Sequence, residues 1–297
     1  MAINFKFERY TCYDMRKLLV IISILACCSS LSYGQTFYTG TEYGIAIGGS
    51  QYFGDLNDNY GFKYVRPAFG AFARYHLNPF ISVRFSANYT KVGYDDRFSN
   101  NTFNRARNLS FRSDIVEGAI QTEFNFFRFA TGELNSRWTP YLTGGVGFFY
   151  YNPYTTMDGA KYYLRPLGTE GQYTGQYTGR MYNTFSMCFP IGAGFKYWIR
   201  PGFNFGVEIT DHLTVTDYLD DVSTTYVGAD KFTTDPSLPN TAERLQDRSV
   251  NQSLGRSGKA RGNSDSKDQY LMFMVNLSFQ LKTYKCPSYL KAGYFMY

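Results

Sequence analysis

Apolar and polar residues alternate one by one through much of this chain, and this period of two constrains its fold more than any other feature. In residues 203–210, Phe203, Phe205, Val207 and Ile209 share one face, opposite polar or small residues. Such alternation predicts β-strands with unlike faces. Each segment has about ten residues or slightly more, enough for a tilted strand to cross a bilayer. Eight segments follow the pattern: residues 43–51, 68–77, 81–90, 116–126, 141–151, 185–198, 203–210 and 271–282.

The links between these segments alternate between short and long. Residues 76–80 and 200–202 form tight turns, and residues 130–137 form a moderate link. Four links are long: residues 54–66, 94–112, 152–183 and 212–268. Short periplasmic turns and long outer loops are typical of outer-membrane barrels. We therefore predict an all-β fold over residues 40–282, an eight-stranded antiparallel up-and-down transmembrane β-barrel with both termini in the periplasm.

A soluble secreted barrel of the lipocalin type is the alternative, because it would show the same alternation. Its apolar faces would point inward, whereas the polar faces here consist mainly of small residues that suit a narrow interior. Aromatic residues make up 19% of the chain and cluster at predicted strand ends, as in the interfacial girdles of membrane proteins. These are Tyr75, Phe80, Tyr94, Phe126, Phe127, Trp138, Tyr141, Tyr197 and Trp198. Both features favour the membrane barrel.

The N-terminus has the features of an export signal. A basic start at Met15 precedes the apolar residues 18–26, and small residues flank the tyrosine of residues 32–34. We expect residues 1–34 to be a cleaved signal peptide whose natural start is Met15. A lipoprotein signal with a lipidated Cys27 is the alternative. An exported barrel belongs in the outer membrane of a Gram-negative bacterium, in contact with its lipid.

Charged residues on the predicted inward face must neutralise one another, because eight strands enclose a lumen that side chains fill. Four cations and four carboxylates face inward on this threading: Glu42, Arg74, Arg84, Glu117, Glu123, Lys196, Glu208 and Lys282. An unpaired charge inside the barrel would be very costly. We predict that these residues form an ion network that plugs the lumen. A proton or solute path along the same charges is the alternative.

Signals for catalysis or cofactor binding are sparse. The chain has two histidines, and the threading places His76 at a short turn and His212, beside Asp211, on the outer lip. An Asp-His pair could activate water, but a loop histidine beside an aspartate is usually solvated. The histidines, cysteines and carboxylates lack the spacing of a metal site, and the glycine-rich stretches do not precede helices. We expect no enzyme activity, metal or cofactor, and no nucleic-acid partner.

The C-terminal residues 283–297 are expected to form a periplasmic tail, because the last strand has its full length by Lys282. Aromatic and basic residues in the tail favour docking on a partner over the frayed end that is usual for a terminus. Cys286 in the tail and Cys188 in the wall lie at opposite ends of the predicted barrel, so we expect two free thiols.

The long outer loops carry the most unusual sequence. Residues 171–179 repeat the motif GQYT, and residues 251–266 are rich in serine, asparagine and glycine. The composition of residues 251–266 predicts disorder.

Four stretches resemble the PorG family, the outer-membrane barrel component of the type IX secretion machinery. They are EYGIAIGGSQYFGDLN at 42–57, RPAFGAFARYHLNPFISVR at 66–84, RPGFNFGVEI at 200–209 and the Lys-Cys-Pro sequence at 285–287. The long fourth outer loop and the tandem repeat depart from this resemblance.

The resemblance implies a structural role in protein secretion. A PorG-like barrel would tether to the outer membrane a periplasmic ring built from a lipoprotein, PorK, and its partner, PorN. The expected partner contacts lie at a short turn and in the tail: Asn78, Pro79, Tyr284, Lys285, Cys286, Pro287 and Tyr289. The alternative is a stand-alone barrel whose extracellular loops bind a surface ligand.

Overall fold

The computed structural model describes residues 40–58, 60–131, 134–232 and 241–280. Ten β-strands lie within these residues. They are β1 (Thr41–Phe53), β2 (Arg66–His76), β3 (Ile81–Asp95), β4 (Ser110–Asn125), β5 (Trp138–Tyr150), β6 (Tyr154–Met157), β7 (Ala160–Tyr163), β8 (Phe185–Arg200), β9 (Phe203–Thr214) and β10 (Gln269–Gln280). The predicted signal peptide, Lys282 and the predicted tail lie outside the described residues.

Eight of the strands close into one antiparallel barrel. Their order is β3-β2-β1-β10-β9-β8-β5-β4, and β4 pairs back onto β3. That closing ladder runs from Ile81 opposite Phe124 to Asp95 opposite Ser110. The short strands β6 and β7 form a separate hairpin that joins β4 at one residue pair. The prediction of an eight-stranded up-and-down barrel is confirmed, and its closure satisfies the backbone groups that a sheet edge would leave unpaired.

The outer surface of the wall is apolar. Large apolar side chains face outward around the barrel, and Ile45, for example, is 68% exposed. The others include Ile47, Phe85, Val116, Ile120, Leu142, Phe148, Ile191 and Phe273. A soluble barrel would turn these residues inward, so the lipocalin alternative is wrong. An apolar band around a closed barrel is the surface that lipid covers.

The predicted aromatic girdle is only partly correct. Tyr75, Phe80, Phe126, Phe127 and Trp138 are exposed. Three other aromatics of the predicted girdle are buried: Tyr94, Tyr141 and Trp198. Tyr141 lies on the inward parity of β5, where its phenol meets a lumen carboxylate. Position at a strand end therefore does not decide whether an aromatic side chain faces lipid.

The two ends of the barrel differ in their connections. Residues 77–80, 126–131, 134–137 and 201–202 lie in the short connections at what is here called the turn end. Asn78 Oδ1 accepts from the backbone N–H groups of Phe80 and Ile81, both at 2.8 Å, which fixes the β2–β3 turn. Gly202 has a φ of +83°, a left-handed conformation that glycine adopts without strain.

Four long connections pack together at the opposite end, here called the loop end. Within the described part of the chain, residues 54–58, 60–65, 96–109, 151–184, 215–232 and 241–268 form this cap. The short helices of the cap are α1 (Thr102–Arg107), α2 (Leu164–Leu167) and α3 (Thr241–Gln246). Single 3-10 turns lie at Asp96–Phe98, Leu134–Ser136, Thr178–Arg180, Ala229–Lys231 and Val250–Gln252. No helix in the described part of the chain is long and apolar enough to cross a membrane.

Most of residues 251–266, which the sequence predicts to be disordered, are exposed, but Arg261 anchors this segment to the cap. Arg261 is buried, and its Nη1 lies 2.5 Å from Glu170 Oε1. Thr225 pairs with Ala260 in an isolated β-bridge. A composition rich in serine and glycine reveals nothing about an ion pair whose partner lies 91 residues away.

Candidate functional site

Charged side chains fill the half of the lumen near the turn end. Arg74 joins two carboxylates, with Nη1 2.5 Å from Glu42 Oε1 and Nε 2.8 Å from Glu123 Oε2. Lys196 Nζ also donates to Glu123. His76 Nε2 lies 2.8 Å from Glu42 Oε2. All five residues are buried.

A second part of the network centres on Arg84. Its guanidinium donates two hydrogen bonds to Glu208, from Nη1 at 2.5 Å and from Nη2 at 2.8 Å. This is the forked geometry that arginine makes with carboxylates. Nη1 also lies 3.2 Å from Glu123 Oε1. The Tyr141 hydroxyl donates to Glu208 at 2.5 Å. Three cations and three carboxylates therefore form one connected network.

The network leaves little free space inside the barrel. A lumen cavity beside Arg84 and Glu208 measures about 30 Å³, which is room for little more than a water molecule. Buried charges in such pairs are costly to separate, because each would lose its partner in a poorly solvated interior. The arrangement suits a filled lumen that joins opposite walls.

Glu117 is the one other residue of the predicted ion network that lies within the described residues. It lies nearer the loop end and belongs to a second group of interacting side chains. His212 Nδ1 lies 2.7 Å from Glu117 Oε2, and Cys188 Sγ lies 3.6 Å from the same oxygen. The Tyr270 hydroxyl donates to Glu117, and its ring stacks on His212 with centroids 4.7 Å apart. Cys188 is a free, buried thiol.

His212 does not occupy the outer lip that the sequence predicted. Strand β9 continues to Thr214, so His212 lies on the inward face, on the same parity as Glu208. Cys188 shares inward parity with Lys196 in β8. Had the alternation of β9 been extended through residue 214, it would have placed the His212 imidazole in the lumen, and the parity of the predicted segment 185–198 already placed the Cys188 thiol on the same face as Lys196.

Buried arginines tie the four loops of the cap together. Arg107 Nε and Nη2 each lie 2.8 Å from a carboxylate oxygen of Asp96. Arg107 Nη1 donates to the carbonyl of Arg261 at 2.7 Å, and Nη2 donates to the carbonyl of Asp55 at 3.1 Å. Arg261 in turn pairs with Glu170. Each of the four connections thus contributes to one network.

Several carboxyl groups of the cap have raised pKa values. Burial raises the pKa of Asp55 to about 7, with a further contribution from the charge of Asp217. Burial also raises the pKa of Asp217 and of Asp221 to about 6. Asp220 and Asp268 share the Tyr52 hydroxyl at 2.6 and 2.8 Å. The cap therefore holds acids that bind protons near neutral pH.

The predicted partner contacts are only partly within the described residues. Asn78 and Pro79 lie in the β2–β3 turn at the turn end. The other predicted contacts lie outside the described part of the chain: Tyr284, Lys285, Cys286, Pro287 and Tyr289.

A family model described as "Domain of unknown function (DUF6089)" matches residues 16–232 of the chain. No curated protein matches.

Solved structures of outer-membrane proteins are similar to the barrel. The attachment invasion locus protein Ail of Yersinia pestis is 11% identical over 82% of this chain and 100% of its own, with a TM-score of 0.39. Neisserial surface protein A is 9% identical over 81% and 97%, with a TM-score of 0.39. OprG of Pseudomonas aeruginosa is 10% identical over 83% and 99%, with a TM-score of 0.37.

Proposed function

The chain belongs to the family described as domain of unknown function (DUF6089), and we propose that it is an outer-membrane anchor of a type IX-like protein secretion machinery. The observation that carries this proposal is the filled lumen, in which three cations and three carboxylates join opposite walls. A barrel that offers no path to solutes must act through its ends. Its apolar outer face holds it in lipid.

The proposed orientation places the turn end in the periplasm and the cap outside the cell. Glu42 at the start of β1 pairs with Gln280 at the end of β10, so the wall begins and finishes at the turn end. Outer-membrane barrels keep their short turns and both ends of the wall on the periplasmic side. A periplasmic partner would therefore meet the short connections.

Exposed apolar side chains at the turn end support a protein partner there. Leu77 and Leu134 lie in connections beyond the strand ends and are 51% and 76% exposed. Phe126 and Phe127, in the same connection as Leu134, are also exposed. Apolar and aromatic side chains of this kind form the centres of protein interfaces. Together with the resemblance to PorG, they favour a PorK/PorN-like periplasmic ring as the partner.

Affinity purification from detergent-solubilised envelopes tests this proposal. The wild-type chain should co-purify with the periplasmic ring. With a Leu77→Asp/Leu134→Asp double variant, the yield of co-purified ring should fall by at least about tenfold. Val250→Asp is the matched control, because Val250 is 80% exposed but lies in the cap. Deletion of residues 286–297 tests the tail separately.

Two outcomes would contradict the anchor proposal. Wild-type barrel could purify alone under conditions that keep the ring intact. Alternatively, the double variant and the tail deletion could both retain the ring at full yield while folding normally, as judged by heat-modifiable migration on gels.

A surface-binding role is the second candidate, and the folded cap favours it. A depression of about 360 Å³ opens on the cap, between polar and aromatic side chains. Its lining includes Asp55, Tyr60, Phe103, Arg107 and Lys267. Binding of a surface ligand that is lost in Lys267→Glu but kept in Leu77→Asp/Leu134→Asp would favour this role over the anchor.

A further inference from the structure

Three side chains with metal-binding atoms converge in the lumen from three different strands. Glu117 comes from β4, Cys188 from β8 and His212 from β9. One ligand atom of each lies within 4.8 Å of the other two, and all three residues are buried. We propose that this Glu117–Cys188–His212 triad binds one zinc ion, beneath the cap and independently of the secretion role.

The three ligand atoms lie close enough together to surround one ion. His212 Nδ1 lies 2.7 Å from Glu117 Oε2, yet this buried nitrogen has no aligned hydrogen-bond partner. Cys188 Sγ lies 3.6 Å from the same oxygen. Zinc binds oxygen, nitrogen and sulfur at about 2.0–2.3 Å in a tetrahedron. Shifts of about 1 Å or less would bring the three atoms to that arrangement.

Charge and ligand type select a divalent transition metal. A zinc ion would displace the thiol proton of Cys188 to solvent, leaving a thiolate, the Glu117 carboxylate and a neutral His212 imidazole. These two negative charges balance the two positive charges of the ion, so the buried group is neutral. Thiolate and imidazole suit zinc, whereas magnesium and calcium prefer oxygen ligands alone.

Neighbouring residues hold the ligands in place. Asn88 Nδ2 donates to Glu117 Oε1 at 2.9 Å, and the Tyr270 hydroxyl donates to Oε2, the oxygen that faces the imidazole and the thiol. Loss of a group that orients a metal ligand in this way typically lowers the metal affinity by about 10–100-fold. Gly147 leaves the thiol its space, since a Cβ there would lie 2.9 Å from Cys188 Sγ.

A water molecule would supply the fourth ligand from the side of His212. His212 lines a lumen cavity of about 30 Å³ that Glu117 and Cys188 do not line, and a space of that size admits one water molecule. Three protein ligands and a water complete the usual four-coordinate zinc site. Because β8 and β9 are neighbours and β5 separates β8 from β4, the ion would join β4 to the β8–β9 pair under the cap.

Metal analysis of the refolded chain from residue 35 onward, without the expected signal peptide and without a polyhistidine tag, tests the inference. The chain would be refolded in detergent with zinc or cobalt and desalted. We expect one zinc per folded chain, and with cobalt a thiolate-to-metal charge-transfer band. Cys188→Ser and His212→Gln should weaken zinc binding by at least about tenfold.

Matched controls come from the other cysteine after residue 34 and from the other histidine. Cys286→Ser should keep the zinc and the cobalt band. His76→Gln should also keep both, although His76 is likewise buried and bonded to a glutamate, Glu42.

Three results would overturn the zinc site. Folded wild-type chain could hold no zinc and show no cobalt–thiolate band. Folded Cys188→Ser could bind zinc as tightly as wild type, or His76→Gln could lose zinc as fully as His212→Gln. If the ligand variants fail to fold, the cobalt spectrum of Cys286→Ser is the deciding measurement, because Cys188 is then the sole thiol after residue 34. A cobalt–thiolate band from this variant supports the site, and its absence contradicts it.

Discussion

Glu123 is the residue on which the lumen network depends most, because three cations converge on it. Arg74 Nε lies 2.8 Å from one carboxylate oxygen and Arg84 Nη1 lies 3.2 Å from the other. Lys196 Nζ contacts it as well. Without the charge of Glu123, three buried cations would face only two carboxylates.

We predict that Glu123→Gln lowers the free energy of unfolding by roughly 3–5 kcal/mol, as when one partner of a buried ion pair is removed. Asp114→Asn on the same strand is the control, because Asp114 pairs with Lys91 on the exposed surface at 3.6 Å. That change should cost less than about 1 kcal/mol. Urea unfolding in detergent, followed by tryptophan fluorescence, measures both; equal losses would count against the network.

An arginine on the lipid face tests the orientation of the wall. Val207 lies in the middle of β9 and faces outward, so Val207→Arg should cost about 2–4 kcal/mol if it lies mid-membrane. Val250→Arg, on the exposed cap, should be close to neutral. Refolding yields and urea midpoints in lipid vesicles give the comparison. Equal small effects at both positions would mean that lipid does not cover β9.

The strands of the wall could be predicted from the sequence because each carries its own alternation. Strands β3, β4 and β9 extend beyond their predicted ends: β3 continues to Asp95, β4 begins at Ser110, and β9 continues to Thr214 rather than stopping at Thr210. Asp211 sits on the outward face there and looked like the start of a loop. The alternation nevertheless continues, because Leu213 beyond it is 38% exposed. His212 was misplaced for the same reason.

The cap could not be predicted, because its stability comes from contacts between distant parts of the chain. Arg107 reaches the carbonyl of Arg261 across 154 residues, and Arg261 pairs with Glu170. No spacing of residues along the sequence indicates either contact. The lumen charges could be proposed from strand parity, whereas the proximity of Glu117, Cys188 and His212 required the closed barrel.

The acids of the cap predict that it is more stable at acidic pH. The pKa of Asp55 is raised to about 7, and those of Asp217 and Asp221 to about 6, mainly by burial. An unfolded aspartate has a pKa of about 3.9. A folded acid with a raised pKa binds its proton more tightly, so its contribution to stability is complete below about pH 4 and is lost as pH rises through about 6–7.

Hydrogen exchange of residues 215–268, corrected for the intrinsic rate, measures this effect. We expect greater protection of these amides at pH 5 than at pH 8, while amides of the wall strands change little. Asp221→Asn should flatten the dependence, because an amide does not titrate. Protection that is equal or greater at pH 8 would contradict the assignment of protonated acids to the cap.

A filled lumen predicts that the whole molecule does not conduct ions. Refolded protein inserted into a planar lipid bilayer should give no stable conductance steps, because the network and the packed cap block the barrel. Insertion must be checked independently, by protease protection of the reconstituted wall. Regular conductance steps from the purified chain would instead favour the solute path along the lumen charges.

The central claim for the whole molecule is that the turn end meets a periplasmic ring while the cap faces outward. Photocrosslinking in intact cells tests it directly, with the crosslinking amino acid at Leu134 or at Val250, the two most exposed apolar positions considered above. The account predicts that a probe at Leu134 captures a PorK/PorN-like ring protein and that a probe at Val250 does not. Capture of the ring from Val250 alone, or from neither position in cells that assemble the ring, would contradict it.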